Sequence, residues 1–567
     1  MRTIAGCGWV RRGPAVAAVV VWALWVLGGA CGTDVVAAED AARVDGAVAD
    51  TVVAEATVAE TTVAETAGDT TVPIDPDDRY DVGDPGLTDR WVDPVNGSDD
   101  HDGATRATAM RTLTHAWRSL PAALETGVRI WLMPGAYDGA YLESKRGTHA
   151  APIIITSTDG RASVTIGEGG GIGGLTFYDS AYVYLMDVTV ASPSDPFHLD
   201  HCDHVLLRGV EVRGTRGGGQ TEAVKVNQSQ HIYIEDSDVH GAGDNAIDFV
   251  AVQYGHIVRS RIHDANDWCA YTKGGSAYIR VADNEIYDCG TGGFAAGQGT
   301  GFQFMVAPWI HYEAYGIEVV NNVIRDTWGA CLGVMGGYDI LFAHNTCYRV
   351  GTRSHVLEVG LGGRGCDGHD VAACRPSLDA GGWGVLGEGG DFIPSRHVWL
   401  LANLVYNPPG VHAAWQHLSV GGPAAAPAES HLVGLQRADD DLRLRGNLVW
   451  NGPPEVPEMS LGVSGEGACA DANPTCNPTQ LVADNAFNRV APRLVDPANG
   501  DFRPVRDASW ADVPTAELPP WDWSDRPSTT SGPQLPEGPA HRGAGRDRAG
   551  VSRGPEAPPG AYTFAPD

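Results

Sequence analysis

A short strand-like phrase recurs through the middle of the chain, and its copies constrain the fold more than any other feature of the sequence. Neighbouring copies lie as little as 22–24 residues apart, and longer gaps separate the others. A unit of this size cannot enclose a hydrophobic core alone, so it must stack on its neighbours. The residues that close successive copies are Val190, Val212, Val239, Ile262, Ile286, Ile324, Cys347, Val405, Val449 and Phe487.

The repeat predicts strands. Apolar and polar residues alternate within it, as in the stretch HIYI that begins at His231, and no helical period runs through the region. Leucine-rich repeats would carry a ladder of leucines, and propeller blades would recur about every 40 residues. Neither pattern is present, so we predict an all-β chain that forms a parallel β-solenoid with turns about 4.8 Å apart.

Asparagines fall two places before the closing residue in the later copies, and serines take this position in two earlier ones. In a solenoid these side chains form an internal ladder that satisfies buried polar groups from turn to turn. We therefore assign them a structural role. They are Asn284, Asn322, Asn345, Asn403, Asn447 and Asn485, preceded by Ser237 and Ser260.

The charge of the chain limits its partners. The 567 residues include 39 basic and 71 acidic ones, which gives a formal net charge of -32. An acidic surface makes nonspecific binding to nucleic acid or to an anionic membrane unfavourable. We expect no nucleic-acid partner, a monomer, and membrane contact only through a lipid anchor.

The N-terminal region predicts export. Residues 1–30 combine early arginines with an apolar run and are predicted to be a signal peptide. Cys31 follows a stretch that resembles a bacterial lipobox, so we predict lipidation there; ordinary cleavage is the alternative. Residues 31–88 are rich in Thr, Val, Ala and acidic residues, which is typical of a disordered tether. The expected location is the outer membrane or cell surface as a lipoprotein, or the medium as a secreted protein.

The cysteines and the C-terminal region complete the predicted organisation. We place the β-solenoid domain at 89–510 and a Pro-rich, partly docked tail at 511–567. Export implies an oxidising compartment, where short cysteine spacings predict disulfides. Without Cys7 and Cys31 an odd number of cysteines remains, so at least one is free. The candidates for two loop disulfides are Cys366 with Cys374 and Cys469 with Cys476.

Three stretches resemble one family. The opening WVDPVNGSDD at 91–100 with AMRTL at 109–113, the late NGDFRP at 499–504 and the final GAYTF at 560–564 are similar to phrases of the pectate-lyase-like proteins. The resemblance implies a single-stranded right-handed parallel β-helix with loop insertions. This fold hosts lyases, hydrolases, epimerases and adhesins, so it does not by itself assign a function.

The densest polar residues lie in three consecutive copies of the repeat. Alternation places Lys225 and Asp248 on the outer face of stacked strands. Carboxylates on neighbouring turns can share a cation, and oxygen ligands of this kind suit Ca²⁺. The predicted calcium ligands are Glu222, Asp244, Asn245 and Asp248.

The same residues resemble the site of calcium-dependent pectate lyases that use a lysine base. That resemblance implies Lys273 as the base, with Asn245 standing where the family has an acid. Lys273 lies 25 residues after Asp248, although the local period is 23–24 residues. A one-residue slip turns a side chain to the other face, so we expect a small bulge, supplied by Gly274 and Gly275. The alternative is an exposed face on which the lysines merely pair with acids.

Further candidates lie in two insertions. The aromatic loop offers Trp309 for substrate binding, and His311 or Tyr312 as a general acid. The second, glycine-rich insertion offers Arg353 and Arg364 to bind carboxylates. Ordinary loop packing is the alternative for each of them. Lys225 completes the predicted substrate-binding set.

Three functions follow from these residues. The first is a polysaccharide lyase that cleaves an acidic, uronate-containing glycan by cation-assisted β-elimination, with Ca²⁺ as cofactor and a lysine base. The second is a noncatalytic glycan-binding or surface-adhesion solenoid. The third is a glycoside hydrolase, which would need two carboxyl groups flanking a sugar and no cation.

Overall fold

Each turn of the repeat contributes one strand to each of three long parallel sheets, so the chain winds as a parallel β-helix. The computed structural model describes residues 79–169, 173–217, 219, 221–366, 371–428, 430–452, 467–518 and 543–566, all within one compact unit. The predicted signal peptide, Cys31 and the tether before residue 79 lie outside the described residues.

Sheets 1 and 2 each contain twelve strands. Sheet 1 consists of Leu87–Val92, Gly127–Leu132, Ile153–Ser157, Ala181–Met186, Asp203–Arg208, Gln230–Glu235, Gln253–Val258, Ser276–Ala282, Ala314–Val320, Gly337–Ala343, Arg396–Leu401 and Asp440–Arg445. Sheet 2 consists of Gly135–Tyr137, Val164–Ile166, Thr189–Ala191, Glu211–Arg213, Asp238–Ala242, Arg261–Ala265, Glu285–Cys289, Val323–Arg325, Thr346–Tyr348, Leu404–Asn407, Leu448–Asn451 and Ala486–Phe487.

Sheet 3 contains ten strands and carries the candidate site. Its strands are Ala140–Glu143, Leu175–Tyr178, Phe197–Asp200, Val224–Asn227, Ile247–Val250, Trp268–Lys273, Gly292–Ala296, Ala330–Met335, Leu357–Gly360 and Leu418–Val420. The prediction of an all-β parallel solenoid is confirmed.

The core runs inside the three sheets because the strands alternate. Val224, Ile247 and Ala270 are paired in register on successive strands of sheet 3, and none of them is exposed. Each inward residue therefore packs against residues of the same position in the turns above and below, as the repeat predicts. The residues between them point to the outer face.

The predicted asparagine ladder is confirmed. The Nδ2 of Asn322 donates to the Oδ1 of Asn345 at 3.0 Å, and the Nδ2 of Asn345 donates to the Oδ1 of Asn403 at the same distance. Ser260 begins the series by accepting from the backbone N–H of Ser237. A second ladder, in which the Nδ2 of Asn407 donates to Asn451 at 2.8 Å, was not predicted from the sequence.

Four disulfides occur among the described residues. Two are the short loop bridges Cys366–Cys374 and Cys469–Cys476. The others, which the spacing did not single out, are Cys269–Cys289 and Cys331–Cys347, and each joins sheet 3 to sheet 2 across the interior. Cys202 is buried and unbridged.

The insertions and ends add small elements. Three small sheets pair Gly299–Gly301 with Gly362–Gly365 and Asp391–Ile393, Ala424–Ala425 with Leu435–Gln436, and Leu494–Asp496 with Asp501–Pro504. The α-helices are Leu113–Arg118, Val371–Ala380 and Pro478–Asp484. The 3₁₀-helices are Arg106–Thr108, Arg161–Ser163, Phe302–Phe304, Pro497–Asn499 and Ala508–Asp512. None of the helices in the described ranges is long and apolar enough to cross a membrane.

The described end of the tail lies against the corner between sheets 1 and 2. The N–H of Ala561 donates to the hydroxyl of Thr346 at 2.8 Å, and Ala561 is fully buried. Phe564 contacts Trp510 edge-on. The tryptophan-rich stretch at 521–523 falls outside the described residues.

Candidate active site on the outer face of sheet 3

Three polar side chains are brought together on the outer face of sheet 3 by strand register. Lys225 pairs with Asp248, and Asp248 pairs with Tyr271, on three successive strands. Because strands in a sheet are about 4.8 Å apart, these side chains are direct neighbours along the helix axis. His198 precedes them in the same row, opposite Lys225.

Lys273 lies on the same face as Asp248. Its strand pairs Tyr271 with Asp248 and Lys273 with Val250, so Lys273 lies two residues further along. Two residues restore the same orientation in a strand, because side chains alternate. The predicted bulge is therefore wrong: the local period is 23 residues, and Gly274 and Gly275 follow Lys273 at the end of its strand, with φ of 66° and 84°.

Lys225 and Glu222 form the central ion pair of the cluster. The Nζ of Lys225 is 3.2 Å from the Oε2 of Glu222, whose side chain is almost completely buried. Burial, with the nearby Asp248 carboxylate, raises the pKa of Glu222 to about 7. Burial opposes the charge of Lys225, but Glu222 and Asp248 raise its pKa above the usual value. Lys225 is therefore a stable cation beside a carboxyl group that titrates near neutral pH.

A second pair of acids lies at the edge of sheet 3, in the turns that lead into its strands. Burial, with the charges of Asp267 and Asp248, raises the pKa of Asp244 to about 6. Burial also raises the pKa of Asp267. The backbone N–H of Asp267 donates to the carbonyl of Asp244 at 3.0 Å, so the two acids occupy equivalent places in adjacent turns.

Tyr271 links the two lysines. It is only 2% exposed and is the register partner of Asp248 on the neighbouring strand. The Nζ of Lys273 lies 4.5 Å from the centre of the Tyr271 ring and donates to the Oε1 of Gln298 at 3.1 Å. Burial and the surrounding acids raise the pKa of Tyr271 well above its usual value, so the hydroxyl keeps its proton.

The predicted calcium ligands do not converge. The carboxylates of Glu222, Asp244 and Asp248 are not all within 4.8 Å of one another, and the Lys225 ammonium occupies the space beside Glu222. The prediction for Asn245 is wrong, because this residue is 1% exposed and its Oδ1 accepts from the backbone N–H of Trp268 at 3.1 Å. Asn245 thus supports the next turn. Calcium binding at this site therefore stays a prediction.

A different group with metal-binding side chains lies on sheet 1. The Nδ1 atoms of His204 and His231 are 2.8 Å and 2.9 Å from the same oxygen of Asp203. The two rings are stacked, 4.1 Å apart and 20° from parallel. Both rings already direct their Nδ1 atoms at one oxygen of Asp203, so this oxygen takes the position that a shared ion would need.

The aromatic insertion does not supply a general acid to sheet 3. The Nε2 of His311 lies 2.8 Å from the carbonyl of Gly381, and burial lowers its pKa to about 4. Trp309 stacks on Phe302. Tyr312 packs edge-on against Tyr338, a residue of sheet 1. The predictions for His311, Tyr312 and Trp309 are corrected: these residues pack the insertion.

The two predicted arginines have different surroundings. Arg364 is fully buried and its Nη2 lies 2.7 Å from a carboxylate oxygen of Glu313, which is also fully buried. Its predicted role in substrate binding is therefore wrong. Arg353 is exposed at the edge of sheet 3, where its Nη2 donates to the hydroxyl of Thr291 at 3.2 Å.

One sequence signal for this face was overlooked. The chain contains three lysines against 36 arginines, and two of the three, Lys225 and Lys273, lie on the outer face of sheet 3. Arginine serves as the cation almost everywhere else. Lysine differs from arginine in being a compact amine that can lose its proton, so two neighbouring lysines distinguish this face from the rest of the sequence.

Tyr271 and Asp267 were also overlooked as site residues. Tyrosine is a common strand residue, so its identity alone does not mark Tyr271 as a site residue. A strict register of 23 residues applied to Lys225 and Asp248 would have identified it. A cavity of about 430 Å³ lies elsewhere, between sheet 2 and residues 497–502.

Parts of the chain resemble solved structures at low sequence identity. None of the curated proteins matches the chain at a significant level. The chain is similar to a solved rhamnogalacturonan lyase, with 13% identity and a TM-score of 0.40 over 64% of this chain and 87% of that one. It is also similar to a solved pectate lyase, with 12% identity and a TM-score of 0.37 over 85% of this chain and 97% of that one. It is also similar to the A-module of a mannuronan C-5 epimerase from Azotobacter vinelandii (11%, 0.36, 59% and 90%).

The family comparison concerns the turns that carry the candidate site. Residues 197–351 match the family model described as "Right handed beta helix region". This range includes Lys225, Asp248, Tyr271 and Lys273. Together with the three parallel sheets, the match shows that the protein is a right-handed parallel β-helix.

Proposed function

We propose that this protein is an exported polysaccharide lyase that binds a uronate-containing glycan on the outer face of sheet 3 and cleaves it by β-elimination. The observation that carries the proposal is the placement of two of the three lysines of the chain on this face, with Tyr271, Asp248 and Glu222 between and beside them. Amines and buried carboxyl groups arranged in this way suit proton transfer.

Lys225 binds and polarises the substrate. Its pKa is raised, so it remains a cation that attracts the sugar carboxylate. Placing a positive charge at this carboxylate stabilises the negative charge that develops when the adjacent C5 proton leaves. The charge of Asp248, on the neighbouring strand, contributes to the raised pKa of Lys225.

Lys273 is the base that takes the C5 proton of the sugar. Its contacts with the Tyr271 ring and with Gln298 position the amine on the same face as Lys225. As the C5–H bond breaks, its electrons form the C4–C5 double bond and the C4–O4 bond breaks. Glu222, whose pKa is about 7, is a suitable donor of the proton that the leaving oxygen takes. No step is assigned to a calcium ion, because the donor set does not converge.

The test is a lyase assay on pectate, alginate and glycosaminoglycans, following the absorbance of the unsaturated product. We expect turnover on one of these substrates. Lys273→Arg keeps the positive charge but removes the base, so it should lower the rate about a hundredfold or more. Lys145→Arg is the matched control, because Lys145 is the third lysine and lies away from this face, beside the carbonyl of Leu120.

Each assay is repeated with added Ca²⁺ and with chelator, which tests the predicted cofactor separately. An inactive parent protein on every substrate, with and without Ca²⁺, would contradict the proposal. Full activity of Lys273→Arg would contradict the assignment of the base. Reducing ends that appear without unsaturated product would instead support a glycoside hydrolase.

Noncatalytic glycan binding is the second candidate, and one observation favours it. Glu222, Asp248 and Tyr271 are each less than 9% exposed, as in a cluster that stabilises the sheet. In that case glycan binding would be measurable in the parent protein without any product, and Lys273→Arg would leave binding unchanged.

A further inference from the structure

Two exposed tryptophans lie at the same edge of sheet 3, beyond the lysine cluster. Trp328 is 60% exposed and Trp415 is 41% exposed, although tryptophan is among the most apolar residues. Trp328 lies in the turn before the strand Ala330–Met335, and Trp415 lies in the turn before Leu418–Val420. Large exposed aromatic residues at one edge of a sheet indicate a binding surface.

The turn between these two tryptophans carries Arg353. Its backbone N–H donates to the carbonyl of Trp328 at 2.6 Å, and the N–H of Trp415 donates to the carbonyl of the next residue, Ser354, at 3.2 Å. His355 contacts the Trp415 ring edge-on. The tryptophans are thus held two turns apart, about 10 Å along the helix axis, with an exposed guanidinium between them.

This group is continuous with the candidate active site. Arg353 donates to Thr291, and the backbone N–H of Thr291 donates to the carbonyl of Asp267, which lies next to Asp244. The same edge of sheet 3 therefore carries Asp244 and Asp267 in the earlier turns and Arg353 in a later turn. Trp328 lies in the turn before Arg353, and Trp415 lies in the turn after it.

We propose that Trp328, Arg353 and Trp415 form a second glycan-binding subsite that holds the uronate chain along this edge of sheet 3, parallel to the helix axis. The two indole rings stack on sugar rings, and Arg353 binds a sugar carboxylate between them. The identity of the ligand as a uronate glycan rests on the proposed function. The position of the binding surface rests on the exposure of the tryptophans.

Stacking suits this arrangement for a physical reason. A pyranose ring presents a face of C–H groups, which gains dispersion and hydrophobic contact on an indole ring without any hydrogen bond to satisfy. A flat, exposed indole ring can therefore bind many kinds of sugar, because stacking requires no particular hydrogen bond. The guanidinium adds selectivity, because it favours charged sugars over neutral ones. The two contacts together select a linear, carboxylated polymer.

The experiment measures binding apart from turnover. Calorimetric titrations use the Lys273→Arg protein, so that the ligand is not cleaved, with oligogalacturonate, oligomannuronate and a hyaluronan oligosaccharide. We expect Trp328→Ala and Trp415→Ala each to weaken binding of the preferred oligosaccharide about tenfold. Arg353→Gln should weaken binding of that ligand but leave binding of its carboxyl-reduced, neutral form unchanged. Trp131→Ala, on the outer face of sheet 1, is the matched control.

The outcomes separate this inference from the proposed function. Binding that depends on both tryptophans in a protein without lyase activity would refute the function and support the subsite. Lyase activity in the parent, with unchanged affinity and KM in both tryptophan variants, would refute the subsite and leave the function standing. Equal binding of charged and neutral oligosaccharides would overturn the role of Arg353. Failure to bind any of the three ligands would overturn the subsite, and circular dichroism checks that each variant is folded.

Discussion

Replacing Glu222 by glutamine should stabilise the protein at alkaline pH. Burial and the Asp248 carboxylate raise the pKa of Glu222 to about 7 from its ordinary value of 4.5. The folded protein therefore holds this proton more tightly than the unfolded chain. The protonated Glu222 carboxyl group therefore contributes stability that is fully present below pH 4.5 and is lost as the pH rises through about 7.

The magnitude follows from the two pKa values. At 1.36 kcal/mol for each pKa unit, the difference between about 7 and 4.5 corresponds to about 3 kcal/mol. Glutamine has nearly the same shape and no proton to lose. Glu222→Gln should thus equal the parent protein in stability at pH 4 and exceed it by about 3 kcal/mol at pH 8.

Urea unfolding at both pH values, followed by tryptophan fluorescence with the disulfides intact, measures the effect. Glu125→Gln is the matched control, because it makes the same substitution at an exposed bend. A stability difference that is equal at pH 4 and pH 8 would refute the argument, as would a variant less stable than the parent at pH 8. The same variant should lose lyase activity, since it lacks the proposed proton donor; a stabilised but inactive variant is typical of an active-site residue.

The other two predictions concern the solenoid and its insertion. Asn345→Ala should lower stability by about 3–5 kcal/mol, because it removes the Oδ1 that accepts from the backbone N–H and Nδ2 of Asn322 and the Nδ2 that donates to the carbonyl of Val319. Asn345→Ser should recover part of this in the same thermal-unfolding assay, since it keeps an oxygen acceptor. Arg364→Met should cost about 3–5 kcal/mol by leaving Glu313 as an unpaired buried charge, and Arg364→Met with Glu313→Gln should recover most of it. A double variant as unstable as the single one would contradict this reading of the ion pair.

The fold could be predicted because each turn repeats the same physical problem. A residue such as Val224 must pack on its counterpart in the next turn, and an asparagine such as Asn345 must satisfy the turn beside it. Both requirements place the same residue types at regular intervals in the sequence. The neighbourhood of Lys225 and Asp248 follows from the same period.

The predictions failed where the period is interrupted. The partner of Arg364 is Glu313, which belongs to a different insertion, and no spacing rule joins two loops of unequal length. His311 is predicted as a general acid, but the aromatic residues around it form a small core of their own. Insertions fold by contacts that are distant in sequence, so their residue types alone do not show which side chains are buried.

The two disulfides across the interior have a mechanical consequence. Cys269–Cys289 and Cys331–Cys347 each span one strand of every sheet, so each closes nearly a whole winding into a covalent ring. A solenoid normally frays by peeling off windings from its ends. A ring cannot be peeled open by pulling on the chain at either side. The winding that holds Tyr271 and Lys273 is the first of these rings, so the proposed chemistry is carried by a segment that resists unravelling when the rest of the molecule is pulled or digested.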